Sequence, residues 1–318
     1  MCALFGFVDN SGIISSKVKQ KLLNSLSVSS ECRGSDATGI SYVKDGYINI
    51  FKIPRPAHRL RLHCPPNTIA VSGHTRAFTL GSPKKNYNNH PFKGTVGDTT
   101  FSLSHNGIIC NIGQLREQFS LKKCQVETDS YVCVQLIEHF GKLDFESLKQ
   151  MAEAIRGSFT IVLLDNRNNL FIIKGENPIE LVYAEDMGLF VYTSTDDILR
   201  RALKKCRLSV LRYTKIPIKA GEILKIAASG EIERSGFNLP TNDPWDYFSR
   251  WSFPLMSDSS LHELLELGKI VGVSDIQIQN LIDLGYDISE ILELFDNPRL
   301  LNNQLDFIEL GCNDDFEL

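Results

Sequence analysis

A cysteine stands second in the chain, directly behind Met1. Methionine aminopeptidases remove Met1 when the following side chain is small, and cysteine qualifies. Removal would place a thiol and a free α-amine on one residue. An α-amine with a pKa of about 7.7–8.0 has an appreciable neutral fraction at neutral pH and can take the thiol proton directly or through a water. Position alone leaves Cys2 open to the ordinary reading, a structural thiol near a terminus. Cleaving an amide on an amino-acid substrate would also require donors for the oxyanion of the tetrahedral intermediate, a cation for the α-carboxylate and an anion for the α-ammonium.

One compact candidate exists for each. In SHNGI, Asn106 and Gly107 follow a strand-like run; an amide NH2 and a glycine N–H can converge on one oxygen, although Asn-Gly is also a common hairpin turn. In GHTR, Arg76 can grip a carboxylate with two parallel bonds, or simply be an exposed arginine at a strand end. In ETDS, Asp129 opens a helical pattern, where an aspartate is often no more than an N-cap.

The elements that must position these residues are mixed. Strand patterns fall at 2–8, 39–43, 47–51, 68–72 and 100–105. Helical spacing over 127–140 puts Val132, Leu136 and Phe140 on one face, and a second helix is expected over 143–155. Strands at 159–165, 170–174 and 189–193, a helix over 196–206 and a strand pattern over 216–226 follow. After Pro240, Pro244 and Pro254 the pattern is purely helical, with capping boxes at Ser260/Glu263 and Ser274/Gln277. Ile278, Leu281 and Ile282 form one apolar stripe, and Ile288, Ile291, Leu292 and Phe295 another. The expected division is a catalytic domain over 1–237, a linker over 238–256 and an acidic helical appendage over 257–318.

The chain has 318 residues, 42% hydrophobic and 23% charged, which fits a packed core rather than disorder. Its net charge of −4 is uneven: 256–318 holds fourteen Asp or Glu against two Lys or Arg, a balance of −12, leaving +8 for the rest. That acidic segment is a poor partner for nucleic acid. The eight cysteines show no CxxC pair or regular spacing, so neither a disulfide framework nor a metal site is expected, and no cofactor is expected. No basic leader and no run of eighteen apolar residues occurs, so the expectation is a cytoplasmic protein without a membrane span.

The order of the motifs resembles class II glutamine amidotransferases, most closely the glutaminase half of glucosamine-6-phosphate synthase. The likeness runs through MCALFGFV, RGSDATGI, GHTRAFTLGSPKKNYNNHPF, SHNGIICNIGQLRE, ETDSYVCVQLIEHF and IRGSFTIVLLDN, over roughly residues 2–235. It implies an α+β fold, the four-layer αββα sandwich of N-terminal-nucleophile hydrolases. It also implies roles: Cys2 as nucleophile, Asn106 and Gly107 as oxyanion hole, Arg76 with Thr79 for the carboxylate of L-glutamine, and Asp129 for its ammonium. Arg33 is grouped with the substrate-binding residues as a support that positions the N-terminal strand.

Two positions depart from that pattern. Ala77 stands where the sugar synthases have a channel-gating tryptophan, and Leu80 where they have a histidine, so gating of ammonia is expected to differ. About 80 residues follow the matched region, with no phosphate cradle among them. The ammonia is therefore expected to reach an acceptor on a partner protein, with a separate synthase subunit as one candidate, to be released, or to be used in a way the sequence does not reveal. The acidic appendage would dock that partner, mediate self-association, or cover an apolar face; its LGYDISEILELF stretch resembles ubiquitin-associated-type three-helix modules in a pattern that many helix pairs share. A glutamine sensor without turnover, or a hydrolase of another amide, would use the same constellation.

Overall fold

The structure is a computed structural model that describes residues 2–77 and 81–239 and, beyond these, 264, 265, 268, 271–283, 286, 288–295, 301 and 305. Its contacts divide the chain into two units, Met1–Thr241 and Asn242–Leu318.

In the first unit the elements run β1 (Ala3–Asp9), α1 (Ser16–Ser30), β2 (Ala37–Lys44), β3 (Tyr47–Ile53), β4 (Ala70–Arg76), β5 (Phe92–Val96) and β6 (Thr99–Ile109). They continue with α2 (Ile112–Gln118), α3 (Tyr131–Phe140), α4 (Phe145–Ala154), β7 (Gly157–Asp165), β8 (Leu170–Lys174), β9 (Glu180–Ala184) and β10 (Leu189–Thr193). The last are α5 (Asp196–Cys206), β11 (Thr214–Lys215), β12 (Glu222–Ile226) and β13 (Ile232–Gly236).

The strands form two sheets, ordered β11-β9-β10-β1-β4-β2-β3 and β13-β12-β8-β7-β6-β5, with antiparallel pairs throughout. Alternation along β1 explains the layering. Phe5 and Phe7 pack against Leu22, Leu23 and Leu26 of α1 and Leu199, Ala202 and Leu203 of α5. Leu4 and Val8 point the other way, onto Val162, Leu164, Ile172 and Leu224 of the second sheet. The outer face of that sheet, with Phe101, Leu103, Ile161 and Leu163, is covered by Val132 and Leu136 of α3 and Leu148 and Met151 of α4. Each sheet thus buries both faces, and the layers are helix, sheet, sheet, helix. This is the four-layer αββα sandwich the motifs imply.

Strands β8 and β10 and helix α5 keep the expected bounds. The helix expected from 127 begins at Tyr131; before it, Glu127 N donates to Asn88 Oδ1 and the Asp129 carboxylate accepts from Ile109 N. The strand pattern over 216–226 narrows to β12. Residues 16–30 carried no expectation, yet form α1, capped by Ser15, whose side chain accepts from Val18 N. Its serines mask the apolar face of Val18, Leu22, Leu23 and Leu26.

In the second unit, α6 (Asp275–Asp283) and α7 (Ile288–Phe295) are helical. The capping box at α6 is formed: Ser274 N donates to Gln277 Oε1 at 2.9 Å and Gln277 N to Ser274 Oγ at 3.3 Å. Ile278, Leu281, Ile291 and Phe295 are buried in a core of this unit's own. The second expected stripe is only partly inward, since Leu292 is 37% exposed. The Ser260/Glu263 box and most of the expected linker lie outside the described residues.

Candidate active site

Cys2 precedes β1, a central strand flanked by β10 and β4. Its carbonyl accepts from Arg33 Nε at 2.9 Å and its thiol donates to the Ala77 carbonyl at 3.5 Å. The RGSD segment can lie this close only because Gly34 has no side chain: a Cβ there would sit 2.3 Å from Ala77 N. Burial pushes the Cys2 thiol up, against the Ala77 bond and the Arg76 charge, which lower it; the Asp129 charge raises it further.

Arg76 ends β4 and is 2% exposed, so the reading as a surface strand-end residue fails. Its Nη1 donates to Asn89 Oδ1 at 2.7 Å and its Nη2 to the Gly81 carbonyl at 2.6 Å. Asn89 is itself held, donating to the Pro83 carbonyl at 2.8 Å. Beneath it, Lys52 Nζ donates to the carbonyls of Asn89, at 2.6 Å, and Pro91, at 3.1 Å. Burial, with Arg76 nearby, brings Lys52 down to about 8.

Asn106 and Gly107 are not a turn; they lie within β6, paired with Thr160 and Phe159 of β7. The Asn106 side chain is buried and its Nδ2 has no hydrogen-bond partner. A buried unpaired donor of this kind costs about 1–3 kcal/mol unless a ligand satisfies it. Gly107 has φ +142°, and a Cβ there would meet the Ser158 carbonyl at 1.9 Å.

Asp129 is not the N-cap of α3, a position that Ser130 holds. Its Oδ2 accepts from Ile109 N at the end of β6 at 2.8 Å, and its Oδ1 from Ser130 Oγ at 3.2 Å. Among the expected residues, Arg33 bonds the Cys2 carbonyl and Arg76 and Asp129 act on its thiol, while Asn106 and Gly107 lie on β6, whose last residue bonds Asp129. Thr79 lies outside the described residues.

Residues 75–201, which include Arg76, Asn106, Gly107 and Asp129, match a family described as a glutamine amidotransferase domain. Similar proteins include the glutamine--fructose-6-phosphate aminotransferase [isomerizing] of Bacillus spizizenii, 33% identical over 187 residues, 56% of this chain and 30% of that protein. The protein of the same name from Staphylococcus aureus is 30% identical over 249 residues, 74% of this chain and 39% of its own length. Over these regions the chain is similar to glutamine amidotransferase domains. The match spans under two fifths of either relative's length.

Two solved structures show the same fold at 19% identity. One is the glutamine phosphoribosylpyrophosphate amidotransferase of B. subtilis complexed with ADP and GMP, with TM-score 0.57 over 74% of this chain and 49% of that one. The other is the allosteric regulatory enzyme of purine biosynthesis, with TM-score 0.59 over 85% of this chain and 57% of that one.

The structure also brings in residues the motifs did not single out: Asn89 bonds Arg76 and Lys52 bonds the Asn89 carbonyl, and His74 bonds the His105 carbonyl between the sheets. Asn89 and His90 stood inside a quoted motif, NNHPF, so composition flagged the segment but not the bond to Arg76. Among the described residues no group of three or more His, Cys, Asp or Glu is arranged to hold a metal ion, and no helix is long and apolar enough to cross a membrane.

Proposed function

We propose that this domain hydrolyses the side-chain amide of L-glutamine through a Cys2 thioester, releasing glutamate and ammonia for an acceptor domain or subunit. Once Met1 is removed, the Cys2 amine takes the thiol proton and the sulfur attacks the amide carbon. The carbonyl pair moves onto oxygen, stabilised by Asn106 Nδ2 and Gly107 N–H. The C–N bond then breaks, the amine returns the proton to the leaving nitrogen, and ammonia departs. Water adds to the thioester, the C–S bond breaks, and glutamate leaves. Arg76, with Thr79, holds the α-carboxylate and Asp129 the α-ammonium. Arg33 keeps the Cys2 carbonyl, and so the nucleophile, in place.

The observation that carries this reading is the orphan Asn106 Nδ2: a buried amide donor, unpaired, on a strand of the second sheet that contacts β1 of the first. The acceptor supports the reading only through the relatives, which are named as aminotransferases to fructose 6-phosphate and match this chain over part of their length. Mass spectrometry of the cell-made protein should show Met1 absent, and glutamate release from glutamine should vanish in Cys2→Ala. Retained Met1 or undiminished activity in Cys2→Ala would overturn the assignment. Calorimetric glutamine binding without turnover would make the domain a sensor instead.

A further inference from the structure

We infer that Asn177 is a positioning residue for the oxyanion hole, holding the Asn106–Gly107 peptide so that the Gly107 N–H faces the reacting carbonyl; the inference rests on the glutaminase reading above. A peptide group is one planar unit, so fixing its carbonyl fixes its N–H, which points the opposite way. The Asn106 carbonyl accepts from Asn177 Nδ2 at 2.9 Å. The grip is tight, since a Cβ on Gly107 would lie 2.6 Å from that same Nδ2.

The peptide needs holding. With φ at +142°, Gly107 occupies backbone space that glycine enters freely in either sense. A rotated peptide would present the Asn106 carbonyl, rather than an N–H, to the developing oxyanion. A hydrogen bond to the carbonyl also polarises the peptide and strengthens its N–H as a donor.

Asn177 is anchored in turn. Its own carbonyl accepts from Thr160 Oγ1 and from Lys174 Nζ, each at 2.6 Å. Lys174 Nζ also donates to the carbonyls of Gly175 at 3.0 Å and Glu176 at 3.1 Å. One ammonium thus gathers three consecutive carbonyls and folds the 175–177 segment back toward β6. Thr160 and Lys174 are paired across β7 and β8, and Thr160 is also the partner of Asn106 across β6 and β7. The anchor is built on the strand that carries the hole.

The test uses the full chain with Met1 removed. In Asn177→Ala, kcat for glutamine should fall about tenfold, less than the 10²–10³ that follows loss of a direct oxyanion donor. KM should stay within about twofold, because Arg76 and Asp129 hold the substrate independently. Iodoacetamide should label Cys2 at the wild-type rate. Asn177→Asp, which sets a carboxylate against the Asn106 carbonyl, should lose more. Thr160→Val removes one anchor without touching the side-chain amide, and should lower kcat about threefold at unchanged KM, the scale of one modest hydrogen bond; it carries the test where Asn177→Ala does not fold. Unchanged kcat in these variants overturns the positioning role, as does a parallel loss of kcat, KM and Cys2 labelling. A wild-type chain without glutaminase activity would instead sink the underlying reading.

Discussion

His74 Nε2 donates to the His105 carbonyl at 3.1 Å, tying β4 to β6 across the two sheets. A carbonyl only accepts, so His74 carries its proton on Nε2. The bond lies two residues before Arg76 and one before Asn106, and joins the strands that carry them. The His90 ring lies against that of His74, with centroids 4.2 Å apart and planes tilted by 34°. Burial holds His74 down at about 3 and keeps His90 and His105 below the ordinary histidine range.

These three neutral histidines predict acid lability. In the unfolded chain each takes up a proton near pH 6.5, while the folded state resists. Below that pH the unfolded state binds more protons, so stability falls as pH falls and is complete above about 6.5. Each histidine removes up to about 1.4 kcal/mol per pH unit in that window. Urea unfolding at pH 7 and pH 5 checks this; equal midpoints would contradict it. His74→Gln, which can keep a donor, should retain more stability than His74→Ala.

Arg76 and Asp129 act on Cys2 in opposite directions, against a background of burial that raises the thiol. Arg76→Gln should raise the thiol further and slow iodoacetamide labelling at fixed pH. Asp129→Asn should speed it. Both should raise KM for glutamine by about 10- to 100-fold, the range for losing a hydrogen bond to a charged group. Labelling rates that move together in the two variants would contradict this electrostatic account.

The order of the motifs pointed to the αββα sandwich that the two sheets and their helices form. Cys2, Arg76, Asn106, Gly107 and Asp129 were proposed from chemistry local to each short motif. Their surroundings were not. No spacing rule connects Asn177 to Asn106, or Lys52 to Asn89, since each bond closes a loop of tens of residues that only the sheet order brings together. Helix α1 hid behind its serines, four of which are buried rather than exposed. The α3 start was misplaced because Asp129 spends its carboxylate on Ile109 N instead of on the helix.

Gly107→Ala should be among the most damaging single changes. The new Cβ would stand 1.9 Å from the Ser158 carbonyl in a backbone conformation with φ +142°, so β6 must shift against β7. Loss of kcat by a factor of about 10² or more is expected, matching removal of an oxyanion donor, with a drop of about 1–3 kcal/mol in stability from strain. Stopped glutamate assays together with thermal unfolding check both. An active, equally stable variant would show that the peptide does not need its special geometry.

Asn89→Ala removes the Oδ1 that accepts from Arg76 Nη1, while leaving the Lys52 bonds to main-chain carbonyls in place. The guanidinium then keeps the Gly81 carbonyl but loses its lateral brace. The expected outcome is a rise in KM of about tenfold with kcat nearly unchanged, since the clamp acts equally on bound substrate and transition state. Lys52→Met should act the same way but less strongly. Steady-state kinetics distinguish this from a loss of kcat, which would place Asn89 nearer the chemistry than its bonds indicate.

Ser274→Ala tests whether the second unit folds on its own account. The reciprocal bonds between Ser274 and Gln277 satisfy two N–H groups at the start of α6. Removing the hydroxyl costs about 1 kcal/mol of helix stability. Because Ile278, Leu281, Ile291 and Phe295 pack within that unit's own core, the loss should stay there. Hydrogen exchange should quicken across α6 and α7, while glutaminase activity and exchange in β1 and β6 stay unchanged. Faster exchange in the β-strands would mean that the two units share their stability.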